Sequence, residues 1–150
     1  MYLKEIEAIS LSGVAVRTSN QDEMTSSKAK IGDLWAQFYS QLGRQLTKRS
    51  NVYGVYTQYE SDFSGQYSVY AAADTIENNG DLATVTIEAG SYLVFSAQGE
   101  IPQSVIALWG NIWEYFSNTD SPYERAYTTD FEHYKSPTSV DVYISIKKEQ

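Results

Sequence analysis

The stretch Ile31-Gly32-Asp33-Leu34-Trp35-Ala36-Gln37-Phe38-Tyr39-Ser40-Gln41-Leu42 is written a second time, 74 residues on, as Val105-Ile106-Ala107-Leu108-Trp109-Gly110-Asn111-Ile112-Trp113-Glu114-Tyr115-Phe116. Ile31 pairs with Val105, Leu34 with Leu108, Trp35 with Trp109, Phe38 with Ile112, Tyr39 with Trp113 and Leu42 with Phe116. These positions fall at i, i+3, i+4, i+7, i+8 and i+11, the stripe that an amphipathic helix buries. Two helices with tryptophan in the same slot imply a tandem duplication. A duplication creates a pseudo-two-fold seam, and the seam is where a ligand groove is expected.

The repeat extends beyond the helices. After the first helix come strand-like runs Val52–Glu60 and Gln66–Asp74, parted by the turn Ser61-Asp62-Phe63-Ser64-Gly65. After the second come Tyr123–Tyr134 and Val140–Lys147, parted by Lys135-Ser136-Pro137-Thr138-Ser139. Tyr59-Glu60 aligns with Phe131-Glu132, and Val69-Tyr70 with Val142-Tyr143. The small drift in offset is what loops of unequal length produce. A further strand precedes each helix, Ile9–Thr18 and Thr84–Ala97, the second interrupted at Ala89-Gly90. Each half reads strand, helix, strand, strand, joined at the turn-rich Asn78-Asn79-Gly80. The expected fold is α+β: tandem pseudo-two-fold βαββ repeats in one domain over residues 1–150, repeat 1 about 5–76 and repeat 2 about 82–148. An antiparallel sheet would carry both main helices on one face.

Composition narrows the function. With no cysteine and one histidine, the chain has few of the usual metal ligands and no disulfide, so neither metal nor cofactor is expected. A net charge of −8 argues against direct nucleic-acid binding, which depends on neutralising phosphates, and favours cations. The N-terminus has no basic start followed by an apolar core, and no run spans a bilayer, so a cytoplasmic protein without membrane contact is expected. Thirteen tyrosines, five phenylalanines and three tryptophans exceed what a core needs, since a buried tyrosine hydroxyl requires a partner. The excess points to a half-wet groove for flat organic ligands.

Alternation assigns faces to the last strands. Val140, Val142, Ile144 and Ile146 form one side, opposite Asp141, Tyr143, Ser145 and Lys147. In the first half Tyr67, Val69, Ala71 and Ala73 oppose Ser68, Tyr70, Ala72 and Asp74. The apolar sides are expected against the helices, and the mirrored Tyr70 and Tyr143 in the groove. Glu132 sits in a strand rich in aromatics, where a carboxylate is disfavoured. There it either attracts an organic cation, with ring contacts adding to the charge, or pairs with Arg125 at the surface. His133 reads as structural, and Arg44, Lys48 and Arg49 as cations at a helix C-terminus. There is no nucleophile elbow, phosphate loop or metal-spaced histidine pair.

The helix core Leu34–Tyr39 echoed in Leu108–Trp113, the strand Thr129-Asp130-Phe131-Glu132-His133-Tyr134 and the closing Val140–Ile146 resemble the GyrI-like (gyrase-inhibitor-like) effector-binding domains. These also form the ligand-binding halves of AraC-type and MerR-type transcription regulators. The resemblance covers essentially the whole chain, and is to stand-alone versions, among them proteins of mobile gene cassettes. The chain departs from the family at Ser145-Ile146, where a proline is usual. The resemblance implies a groove for bulky, lipophilic, often cationic compounds, with Glu132 as the acid beneath it and Tyr143 and Trp109 beside it.

The expected function is non-catalytic binding of hydrophobic, preferentially cationic small molecules, as a drug sink or as a sensor acting through a separate regulator protein. Tyr70, Trp109, Tyr127 and Tyr143 would supply ring walls and Glu132 the charge. Trp113 fits either core or groove. One alternative is a hydrolase of strained electrophiles, with Glu132 activating water and a tyrosine donating a proton. Another is an interaction module that inhibits a topoisomerase or tunes a regulator by contact.

Overall fold

Strand order in the sheet is a palindrome of the two halves. The computed structural model describes residues 1–77 and 80–147; of the expected join Asn78-Asn79-Gly80 only Gly80 lies within them, and Lys148, the end of the second expected repeat, lies outside. Among these residues eight antiparallel strands pair in the order β1-β6-β8-β7-β3-β4-β2-β5. They are β1 Tyr2–Ile6, β2 Ile9–Ser19, β3 Val52–Thr57, β4 Gln66–Ala73, β5 Ala83–Ile87, β6 Gly90–Gln98, β7 Thr129–Ser136 and β8 Ser139–Ser145. The helices are a short α1 (Asn20–Glu23), α2 (Ile31–Leu42) and α3 (Gln103–Ser117). The pseudo-two-fold axis passes between β3 and β7.

The expected α+β plan is present, with one strand more per half than βαββ. β1 was not anticipated, and the run Thr84–Ala97 is two strands, β5 and β6, parted at Glu88-Ala89. These leading strands are exchanged between the halves. β1 pairs with β6 of the second half, and β5 pairs with β2 of the first. The run Tyr123–Tyr134 is also shorter as a strand: up to Thr128 the chain is irregular, Tyr127 has φ 54°, and only Arg125 bridges to Ile146. A tyrosine in the left-handed region leaves the β conformation, so the ladder starts at Thr129.

Both main helices lie on one face, as expected. Leu34, Phe38 and Leu42 of α2 pack on Val69, Ala71 and Ala73, while Val105, Leu108 and Ile112 of α3 pack on Val140, Val142 and Ile144. The sheet curls into a half-barrel, and its other face closes on a third cluster that includes Tyr53, Val55, Tyr92, Val94, Phe131 and Tyr143. Gly13 permits the curl of β2, where a Cβ would collide with the carbonyl oxygen of Ala71.

Register fixes which residues the two-fold relates. Val55 pairs with Tyr70, and Phe131 pairs with Tyr143. Val55, rather than the expected Tyr59, therefore holds the place of Phe131. One residue on, Tyr56 holds the place of Glu132. β3 ends at Thr57 because Gln58 has φ 54°, which takes Tyr59 out of the ladder.

Candidate functional site

Each helix stripe divides its work. Leu34, Phe38 and Leu42 face the sheet, whereas Ile31, Trp35 and Tyr39 turn toward the other helix and line a cavity over the β3–β7 seam. The repeat places Val105, Trp109 and Trp113 in the same row of α3, and all three line the same cavity. Two rows at i, i+4 and i+8 thus face each other across the axis. The cavity has a volume of about 940 Å³, ample for a drug-sized molecule. Tyr39, Phe63, Ile106 and Trp113 border it while remaining exposed, so its mouth is apolar.

Glu132 lies in the cavity wall toward the sheet and is 2% exposed. Alternation along β7 turns it toward the helices while Phe131 joins the opposite cluster. Three side chains donate to it: the Tyr56 hydroxyl at 2.9 Å and the Trp109 indole at 2.7 Å to Oε2, and the Tyr134 hydroxyl at 2.8 Å to Oε1. Burial pushes its pKa up, and the three donors from Trp109, Tyr134 and Tyr56 oppose that rise without cancelling it. The buried carboxylate in turn holds the Tyr56 and Tyr134 hydroxyls well above their ordinary values, with their own burial the larger cause. No ion pair reaches Glu132 among the described residues.

Gly54 makes room for this arrangement. It pairs with Glu132 across the β3–β7 seam, and a Cβ there would lie 2.5 Å from Glu132 Oε1 and 3.1 Å from Trp35 Cζ2. At the N-terminus of α2, another cavity-lining acid is occupied otherwise. Glu23 accepts the backbone N–H groups of Lys30 and Ile31 and the hydroxyl of Thr18, capping donors the helix leaves open.

The structure brings Glu132, Trp109 and Trp113 together, and resolves Trp113 to the cavity mouth at 43% exposure. It does not bring Tyr70 or Tyr143 to them. Both project from the opposite face of the sheet, where Tyr143 stacks on Phe131 with centroids 4.4 Å apart and Tyr70 packs at the margin of the same cluster. The groove was expected on the mixed face, away from the helices; the curl fills that face with side chains instead. Tyr127 stands behind the wall, edge-on to Tyr59 at 5.2 Å and under the Arg125 guanidinium. Arg125 pairs with Asp130, two residues before Glu132, and not with Glu132 itself.

Sequence reading missed Trp35, Tyr56, Tyr134, Tyr59 and Tyr67 as cavity residues. Two had a signal: Trp35 through its repeat partner Trp109, and Tyr134 through its two-residue spacing from Glu132. Tyr56 had none, because it meets Glu132 only through cross-strand register. Among the described residues no group of three His, Cys, Asp or Glu is placed to hold a metal, and no helix is long and apolar enough to cross a membrane.

Comparison with known proteins agrees with this architecture. Residues 2–146 match the family model Cass2, integron-associated effector binding protein. An integron cassette protein from the mobile metagenome of Vibrio cholerae is 44% identical; the match covers 97% of this chain and 95% of that one, with a TM-score of 0.92. A Bacillus subtilis (strain 168) protein named a transcriptional regulator, YobU, is 28% identical over 98% of each chain. The structure of SAV2435 bound to tetraphenylphosphonium has the same fold, at TM-score 0.73 and 19% identity, covering 97% of this chain and 93% of that one. The chain belongs to the Cass2 family of integron-associated effector binding proteins.

Proposed function

We propose that this protein is a non-catalytic binder of lipophilic organic cations, taken up between α2 and α3 with Glu132 as their counter-charge. One observation carries the reading: a buried carboxylate on the wall of an aromatic cavity, hydrogen-bonded by three neutral donors and, among the described residues, in no ion pair. Donors of that kind hold the charge without neutralising it. A positive ligand completes the pair, and the faces of Trp35, Tyr56, Trp109 and Tyr134 add attraction for a cation. The tetraphenylphosphonium bound by a protein of the same fold is a ligand of this class. Both oxygens of Glu132 already accept from ring donors, which favours a counter-charge over a base that activates water.

In the cell the protein would act as a cytoplasmic drug sink, or as a sensor that reports through a separate regulator. The test is a thermal melt with tetraphenylphosphonium, a neutral aromatic and an anionic aromatic at matched concentrations. At about a hundred times its Kd a ligand stabilises the fold by roughly 2.7 kcal/mol, or about 5–10 °C for a chain of this size. A shift for the phosphonium alone is the expected result. Equal shifts for all three, or none, would remove the cation reading.

A further inference from the structure

Among the described residues three charged side chains line the cavity, Glu23, Arg125 and Glu132. Arg125 is balanced, since its Nη2 donates to the buried Asp130 at 2.6 Å. The two carboxylates are not: among the described residues neither is in an ion pair. Glu23 is half-buried at the end of α1, and like Glu132 it is held by three neutral donors. The backbone N–H of Lys30 and the Thr18 hydroxyl donate to its Oε2 at 2.9 and 2.6 Å, and the backbone N–H of Ile31 to its Oε1 at 3.0 Å. The Lys30 ammonium is engaged elsewhere, donating to the Arg17 carbonyl at 3.0 Å. Hydrogen bonds fix a carboxylate without removing its charge, and the N-terminus of α2 offsets only about half of one.

The wall that links the two carboxylates is aromatic. Tyr56 donates to Glu132, and its ring lies 5.7 Å from that of Tyr67. The Tyr67 hydroxyl donates at 2.7 Å to Asn20, on the same short helix as Glu23. Both charges act on that hydroxyl: burial first, then Glu23 and Glu132, push the Tyr67 pKa up. The second carboxylate is not a product of the repeat. Tyr56 holds the place of Glu132 in the first half, and α1, which brings Glu23, has no counterpart between β6 and α3. We infer that the cavity takes dications: molecules with two cationic centres joined by an apolar spacer, one centre at Glu132 and the other at Glu23. The inference rests on the reading of Glu132 as the counter-charge, and adds a second subsite at the α1 end of the cavity. A ligand with one charge leaves Glu23 without a counter-charge, whereas a second cationic centre meets it away from bulk water, where the attraction is stronger. The rings of Tyr56 and Tyr67 give the spacer apolar contact.

Calorimetric titration of the whole protein tests this with polymethylene bis(trimethylammonium) ions of increasing chain length. Each is compared with the monocation of the same shape, in which carbon replaces one of the two nitrogens. At the chain length that matches the two carboxylates, the dication should bind at least about tenfold tighter. Glu23→Gln keeps an oxygen to accept from the helix end but loses the charge, and should bring the dication-to-monocation affinity ratio to one or below. Carbon NMR of the glutamate carboxyl groups in the native protein gives the same answer without a variant: the dication should shift the Glu23 resonance and the monocation should not. Dications that fall short of the tenfold gain at every chain length, a gain that survives Glu23→Gln, or an unmoved Glu23 resonance would each overturn the second subsite, while binding of the monocations leaves the cation reading intact. Binding of neither series would overturn both.

Discussion

Glu132→Gln separates charge from shape in the cavity. The substitution keeps the volume, and the hydrogen bonds survive it. A glutamine oxygen at the Oε2 position accepts from Trp109 and Tyr56 as before, and its amide donates to the Tyr134 hydroxyl, which turns from donor to acceptor. What disappears is one negative charge. A quaternary centre seated against the rings comes to roughly 5–6 Å from that charge, where the attraction at an effective dielectric of about 20 is about 3 kcal/mol. The cation should therefore lose about a hundredfold in Kd. Its carbon isostere has the same shape and no charge, and should stay within about threefold. Titration of native and variant protein with a quaternary ammonium compound and that isostere measures both. Equal losses would make Glu132 a shaping residue, and no loss for the ammonium compound would remove it as counter-charge.

Further outcomes follow from the same geometry. The pKa of Glu132 is raised by folding, so the folded protein takes up its proton more readily than the unfolded chain does. Its stabilising contribution is full below the unfolded carboxyl value and is lost as pH rises through the higher folded value; Glu132→Gln should lack that decline in a pH series of melts. Cation affinity should run the other way, falling as pH drops through the folded value, and Trp109→Phe should move that midpoint upward by removing a donor. Gly54→Ala should weaken cation binding about tenfold and destabilise by about 1–3 kcal/mol, because the new methyl displaces the Glu132 carboxylate; a crystal structure of the variant with an unmoved carboxylate would contradict this. Tyr143→Phe should leave cation affinity within about twofold, since its ring lies across the sheet from the cavity, and a larger loss in titration would place the ligand on the wrong face.

The residues alone determined the duplication, the two helices and their common face. Periodicity is local, and a stripe such as Leu34, Phe38 and Leu42 states its own burial. They also singled out Glu132, because a carboxylate amid strand aromatics breaks the local pattern, and Trp109, because Trp35 repeats it. The exchanged strands β1 and β5 were hidden, since which edge a short strand joins is settled by the curl of the whole sheet. The assignment of Tyr70 and Tyr143 failed for the same reason. Alternation says that a strand has two faces, but not which of them the sheet wraps inward and fills. The site depended on pairings between residues far apart in the chain. Tyr56 reaches Glu132 through the β3–β7 register, and Gly54 leaves the space that the carboxylate occupies. Local sequence fixes which residues share a face of an element; only the packing of the two halves decides which faces meet, and there the repeat that supplied Tyr56 in one half supplied Glu132 in the other.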